Sequence, residues 1–298
     1  MRKSGSGRRV ESRSSDTAEI NAAQRASETR RRPEERIIED PYARYFVKRP
    51  AYRLLAASRP PGWAAMRFLD RLMPGLNAII LLRARYSAEV VAEAVGEGVD
   101  QVVLLGAGYD STAMRIPVTV YEVDSPPTQR AKLERMEKHG LAAQSRAVYV
   151  PCDFERESPG RKLVESGFDS TRRCVVVWFR VSFYLTTDAV AAALRDMAAI
   201  TTGGSTLLLD YMDPSIADGT TTHAGARRLA RSVERRGESY RSGFTDEDIE
   251  RVLGGPGFQV REQVHMADLG HRYGGPEGVW CRTDDLFRIV RAERRGSA

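Results

Sequence analysis

The chain has 298 residues, 42% hydrophobic, 29% charged and 8% aromatic, the balance of an ordinary globular protein and not of a fibre or a disordered chain. Its formal charge is +6, yet residues 1–32 hold nine Lys or Arg against four acids and the remainder holds 37 against 36. The excess therefore describes a tail and does not mark a specific nucleic-acid reader. No run approaches the roughly 20 apolar residues of a spanning helix, and the opening MRKSGSGRRVESRSSD holds no apolar segment of secretory type, so the expectation is a cytoplasmic protein with no membrane partner.

Residues 1–15 carry too little apolar content to fold. From Asp16 to Thr29 the periodicity is helical, and a second short helix is predicted after Pro33, carrying Ile37, Ile38, Tyr42, Tyr45 and Phe46. Beyond the Pro60-Pro61-Gly62 turn, two more helices are predicted at about 63–73 and 76–95, so 16–98 reads as a helical cap. At Gln101 the texture changes. QVVLLGAG, VTVYEVD, RAVYVPCD, CVVVWF and STLLLDYM read as five strands, with helices near 126–138, 160–166 and 187–200 between them. That alternation predicts an α/β fold with a doubly wound, mostly parallel sheet and right-handed crossovers. An Arg-rich helical insertion follows at about 214–243. A capped helix begins after Thr245, and FQVREQVHM and DLFRIVRA are the last strands of a Rossmann-like domain over 99–293.

Cys152, Cys174 and Cys281 are odd in number and scattered, which removes a disulfide framework or zinc site and leaves no metal expected. His139, His223, His265 and His271 show no metal-binding spacing, and neither a G-x-S-x-G elbow nor a P-loop occurs. In a doubly wound sheet ligands sit beyond the carboxyl ends of the strands. After the first strand, Gly106 and Gly108 allow a backbone to pass close to a ligand. The third position is Ser111, so the turn is not a dinucleotide cradle. Glu122 and Asp124 end the second strand, sixteen and eighteen residues beyond Gly106, where an acid would accept hydrogen bonds from ribose hydroxyls. Tight strand-to-helix packing and an acidic strand end facing water would explain the same residues without a ligand. Asp153 follows the third strand, as an adenine contact or as a helix cap.

Taken together, LLGAGYDSTAMRI, YEVDSPPTQRAKLERM, VPCDFE, WFRVSFYLT and GFTDEDIERVLGGPGFQV resemble, in order and spacing, the leucine carboxyl methyltransferase family of S-adenosyl-L-methionine (SAM)-dependent enzymes. RASETRRRPEERIIEDPYARYF and RARYSAEVV extend the likeness to about residues 20–293, toward the bacterial branch that includes polyketide O-methyltransferases. The resemblance implies a class I methyltransferase sheet of seven strands with an antiparallel member near its end. It implies that Gly106 and Gly108 lie against SAM, that Asp124 holds the ribose, and that Asp153 and Phe154 border the adenine. Arg85, matching the second Arg of the family's R-x-R, would grip the methionine carboxylate through a bidentate fork.

After the fourth strand the family has a Glu-Gly pair whose Glu contacts the cofactor, where this chain has Phe179-Arg180. The change removes a charge-assisted hydrogen bond worth roughly 1.5–3 kcal/mol and adds a positive charge beside a cationic sulfonium. Phe179 and Tyr184 could instead offer the sulfonium an aromatic face. A carboxylate acceptor is already nucleophilic at neutral pH, whereas a phenol needs a base, and no histidine is recognisably placed to be one. Arg180, Tyr184 and Tyr211 are the candidates to hold that carboxylate. The expected function is O-methylation of a carboxylate, or a hydroxyl, on a small polyketide-like secondary metabolite. The alternative is a methyltransferase fold refitted for aminocarboxypropyl transfer, cyclisation or ligand binding. Arg227, Arg228, Arg231 and Arg235 share one side of the insertion helix, either as a solvated face or as a surface attracting an acidic substrate or an acidic carrier protein.

Overall fold

A computed structural model of the chain describes residues 16–57, 76–235, 239–274 and 286–296. The expected tail, the turn at Pro60 to Gly62, the helix at 63–73 and Cys281 lie outside the described residues. The cap contributes α1 (Asp16–Glu28), α2 (Pro50–Ala57) and α3 (Leu76–Gly96). The short helix expected to carry Ile37 to Phe46 does not form. Only a 3-10 turn forms, over Ala43–Phe46, because Pro41 lacks an N–H and disfavours a helical residue before it. Asp40 then takes up the freed backbone, its Oδ1 accepting from the amides of Tyr42 and Ala43.

The strands are β1 (Gln101–Leu105), β2 (Thr119–Asp124), β3 (Ala147–Pro151), β4 (Val175–Trp178), β5 (Thr206–Met212), β6 (Phe258–His265) and β7 (Phe287–Arg294). They form one sheet in the order β3-β2-β1-β4-β5-β7-β6. The first five are parallel, and β7 runs antiparallel to both of its neighbours. The connecting helices are α4 (Pro126–Lys138), α5 (Pro159–Glu165) and α6 (Thr187–Ile200). Beyond β5 come α7 (Pro214–Ala217), α8 (Ala224–Glu234), α9 (Asp246–Gly254) and α10 (Met266–Tyr273). Thr245 caps α9 in a reciprocal box with Asp248.

Alternation along the strands splits the core into two layers. Val102, Leu104, Val175, Val177, Leu208 and Met212 face α3 and α10 on one side. Val103, Leu105, Val176, Trp178, Leu209 and Tyr211 face α5, α6 and α9 on the other. A third cluster joins Ala22, Ala23 and Ala26 of α1 to Phe46, Tyr109 and Met136, seating the cap over the carboxyl end of β1. Phe46 and Tyr109 stack there at 5.6 Å between centroids.

Candidate active site

Two groups of side chains meet at the carboxyl end of the parallel strands. The first surrounds the turn after β1. Gly106 has φ +74° and Gly108 φ +51°, a region that L side chains avoid and glycine enters freely. A Cβ on Gly106 would collide with Val181 Cγ2, and one on Gly108 would lie 3.2 Å from Ala18 Cβ, so the segment after β4 and α1 close directly on the turn. The Gly108 amide donates to Asp124 Oδ2 at 2.5 Å, and the Ser125 amide to Asp124 Oδ1 at 2.6 Å. Burial pushes the Asp124 carboxyl up, against those backbone hydrogen bonds. Glu122 points into the layer beneath, where it pairs with Lys132, whose Nζ also donates to the Asp110 carbonyl at 2.6 Å. Glu122 is thus an internal strut, and Asp124 is the strand-end acid at the rim. Arg25 ties the cap to the same turn, donating from Nη2 to the Tyr109 carbonyl at 2.6 Å and from Nε to Asp40 at 2.8 Å.

The second group lies at the ends of β4 and β5. Trp178 pairs with Leu209, which puts Phe179 and Asp210 on the next rung. Arg180 is the one non-glycine with positive φ among the described residues, at +62°. The position asks for a glycine, and holding an arginine there costs roughly 1–2 kcal/mol. The Arg180 amide donates to Asp210 Oδ1 at 2.8 Å. On the other side, Arg83 of α3 donates through Nη1 to Asp210 Oδ2. Arg83 is 3% exposed and Asp210 1%. Burial pushes Asp210 upward against the Arg83 and Arg180 charges, and it lowers Arg83 to about 10, so the guanidinium stays protonated at neutral pH.

Each residue singled out in the sequence has a definite place. Phe179 is half-buried against the α3-side core. Tyr184 is half-buried and stacks on Tyr240 at 5.6 Å. Asp153 Oδ1 accepts from the Glu155 amide at 3.0 Å, and the neighbouring Phe154 packs on the opposite core layer. Two expectations are corrected. Arg85 does not reach the strand ends: it is exposed, and its guanidinium lies 5.6 Å over the Tyr273 ring. Two residues along a helix turn the side chain by about 200°, so the inward arginine of R-x-R is Arg83. Tyr211 also turns away, because it alternates with Asp210 on β5. It is buried on the α9 side, where its hydroxyl donates to Asp246 Oδ1 at 2.7 Å. Asp210 and Arg83 escaped sequence reasoning. The one signal was a carboxylate inside the apolar run LLLDYM, facing an arginine inside the apolar run AIILLR.

A seven-stranded sheet of this order with an antiparallel β7, a glycine turn after β1 and an acid ending β2 defines the class I SAM-dependent methyltransferase fold. Solved structures share it. A DUF574 family protein from Streptomyces avermitilis superposes with TM-score 0.62 at 17% identity, covering 96% of this chain and all of that one. A protein from Thermobifida fusca gives 0.60 at 19% identity, covering 94% of each. Within the class, the model of the leucine carboxyl methyltransferase family matches residues 18–198. A Frankia alni relative is 30% identical over 260 residues, 85% of this chain and 84% of its own length. One from Bacillus subtilis, named "Putative S-adenosyl-L-methionine-dependent methyltransferase YktD", is 28% identical over 199 residues. That alignment spans 65% of each chain, just under two thirds of the relative's length. The chain belongs to the leucine carboxyl methyltransferase family, an enzyme family whose cofactor is SAM.

The residues present fit the adenosyl half of that cofactor. The turn leaves no room for a Cβ at Gly106 and little at Gly108, and the carboxylate of Asp124 stands beside it. At the methionine half the acid of the family pattern is missing, with Phe179 in its place. No helix among the described residues is long and apolar enough to cross a membrane.

Proposed function

We propose that the chain is a SAM-dependent O-methyltransferase whose acceptor is the carboxylate of a small, polyketide-like metabolite. The observation that carries the choice of acceptor is the cationic character of the β4–β5 ends. Arg83 and Arg180 flank a single acid there, and that acid is already engaged by both. The described histidines lie elsewhere: His139 against Tyr45, His223 at the start of α8, His265 beside Asp246 and His271 exposed on α10. A phenol would find no imidazole base, and a carboxylate needs none.

SAM supplies a methyl group on a sulfonium, transferred by in-line displacement, so alignment provides most of the acceleration. The chain's part is to position. Gly106 and Gly108 let the donor approach the backbone closely, Asp124 accepts from ribose hydroxyls at the rim of the turn, and Asp153 with Phe154 borders the adenine. Phe179 and Tyr184 present aromatic faces toward the cationic sulfur. Arg180 orients the acceptor carboxylate. A second reading, a refitted fold that transfers an aminocarboxypropyl group, cyclises a substrate or only binds a ligand, is favoured by the Phe179-Arg180 substitution alone.

The test uses SAM labelled in its methyl group and a panel of polyketide-like carboxylic acids and phenols. Carboxyl methylation gives label that mild base releases as methanol. Base-stable label would mean ether formation and contradict the carboxylate acceptor, and no transfer to any acceptor would favour the second reading. Replacing Asp124 with Ala is expected to weaken S-adenosylhomocysteine binding at least tenfold, and unchanged affinity would remove the ribose role.

A further inference from the structure

The outer edge of the sheet, along β3, carries bonding groups and apolar surface that the chain itself leaves unused. β3 is an edge strand. The Val120 amide donates to the Arg146 carbonyl and the Cys152 amide to the Asp124 carbonyl, so the even-numbered residues bond to β2 and the odd-numbered ones turn their backbone groups outward. Tyr149, at the middle of the strand, therefore presents an N–H and a C=O at an open edge, and Pro151 ends it. Apolar side chains stand on both faces of that edge. Among the described residues, three large hydrophobic side chains are exposed, and two of them, Leu133 of α4 and Val164 of α5, flank β3. They lie on opposite faces, because Tyr149 packs with Met136 of α4 while Val148 packs with Leu163 of α5. Between α4 and β3 runs a groove of about 440 Å³, lined by Arg130, Leu133, Glu137, Ala147 and Tyr149 among others.

We infer that this edge is the contact face of a homodimer, in which β3 pairs antiparallel with β3 of a second copy about a two-fold axis. The charge order on α4 selects a second copy over other partners. Arg130, Leu133, Glu134 and Glu137 follow the three-and-four spacing that lines up one helical stripe. All four are exposed, and the three charged ones make no ion pair among the described residues. A stripe that is basic at one end, apolar in the middle and acidic at the other complements itself when two copies run antiparallel. Arg130 of each copy then meets Glu137 of the other, and the two Leu133 side chains meet at the axis. β3 gives the same axis. The Tyr149 hydroxyl donates to Met136 Sδ at 2.8 Å, which places the middle of the strand within about one helical turn of the middle of the stripe. An axis there lets facing Tyr149 residues exchange N–H to C=O bonds while α4 of each copy closes the groove of the other. α4 starts at Pro126, just beyond Asp124, so the interface braces the helix that follows the strand-end acid. Such a dimer is independent of which acceptor is methylated.

The experiment is sedimentation velocity of the full chain over a range of concentrations, in wild type, Arg130→Glu, Glu137→Arg and the variant carrying both changes. The substituted side chains are exposed, so every variant should keep the circular dichroism spectrum of wild type. Wild type should dimerise in a concentration-dependent way. Either single reversal sets like charges opposite each other and should weaken dimerisation about tenfold or more. An equimolar mixture of the two single variants should form a heterodimer, and the double variant should recover the homodimer. Hydrogen exchange should find the Tyr149 amide protected in wild type and exchanging freely in Arg130→Glu. Wild type that stays monomeric to its solubility limit overturns the dimer and leaves the groove to another ligand. A dimer that both single reversals leave unchanged lies on another face and overturns this one. So does a dimer that they weaken but that neither the mixture nor the double variant restores. Free exchange of the Tyr149 amide in the wild-type dimer would overturn the strand pairing.

Discussion

The two halves of the parallel sheet carry opposite arrangements of charge. Under β1 and β2 the acids are tied to backbone amides and to cations that match them: Asp124 holds Gly108 and Ser125, and Glu122 holds Lys132. At the ends of β4 and β5 cations outnumber acids, donors stand unpaired, and an arginine occupies a backbone position suited to glycine. The first half is finished as a structure and keeps the family pattern. The second half departs from that pattern at Phe179 and Arg180.

Substitutions on each side test that contrast. The largest effect is expected from Arg83→Met, which leaves the buried Asp210 without its ion-pair partner, held only through the Arg180 amide, at a cost of about 3–5 kcal/mol. Urea unfolding should show it, and a loss under 1 kcal/mol would mean the pair is not buried as described. Next comes Gly106→Ala, where positive φ and the contact with Val181 together cost about 2 kcal/mol or more. It should lower both stability and S-adenosylhomocysteine affinity, and a neutral outcome would show that the turn is not closed by Val181. Phe179→Glu restores the family acid and should raise SAM affinity roughly tenfold or more. An unchanged affinity would mean that the methionine half no longer keeps the family geometry.

The smallest effect is in pH dependence. Burial raises the Asp110 carboxyl, but Arg25, Arg115, Thr112 and Lys132 outweigh it and hold the group below its ordinary value. A depressed native pKa stabilises the fold above the unfolded value, near pH 3.9, and that stability is lost as pH falls through the lower native value. Asp110→Asn should flatten the acid limb of the stability profile. Asp210, raised by burial, has the opposite sign: its contribution is present at low pH and is lost as pH rises through its native value.

The contrast also follows what the sequence could disclose. The strands were legible because β1, β4 and β5 are continuous apolar runs bounded by turns, and α4 and α6 followed from their capping and punctuation. The turn after β1 was legible because its signal, two glycines and an acid at fixed offsets, lies in backbone requirements that sequence spacing preserves. The β4–β5 side was not. A strand buried on both faces has no polar alternation to say which way Asp210 and Tyr211 point, and so Tyr211 was placed on the wrong side. The family resemblance points to the second arginine of R-x-R, Arg85, whereas the phase of the helix, which the pattern does not carry, turns Arg83 inward. The short helix expected after Pro33 failed because Pro41 and the capping carboxylate of Asp40 outweigh the apolar spacing of Ile37 and Ile38. In the other direction α2 and α10 were passed over, since the first lies close to the Pro60 turn and the second sits between two strands with no capping signal.

The most direct test is a calorimetric titration of the purified chain with S-adenosylhomocysteine. One-to-one binding in the micromolar range, weakened at least tenfold in Asp124→Ala, is the result predicted for a methyltransferase that keeps its adenosyl half. No binding at millimolar ligand would contradict it.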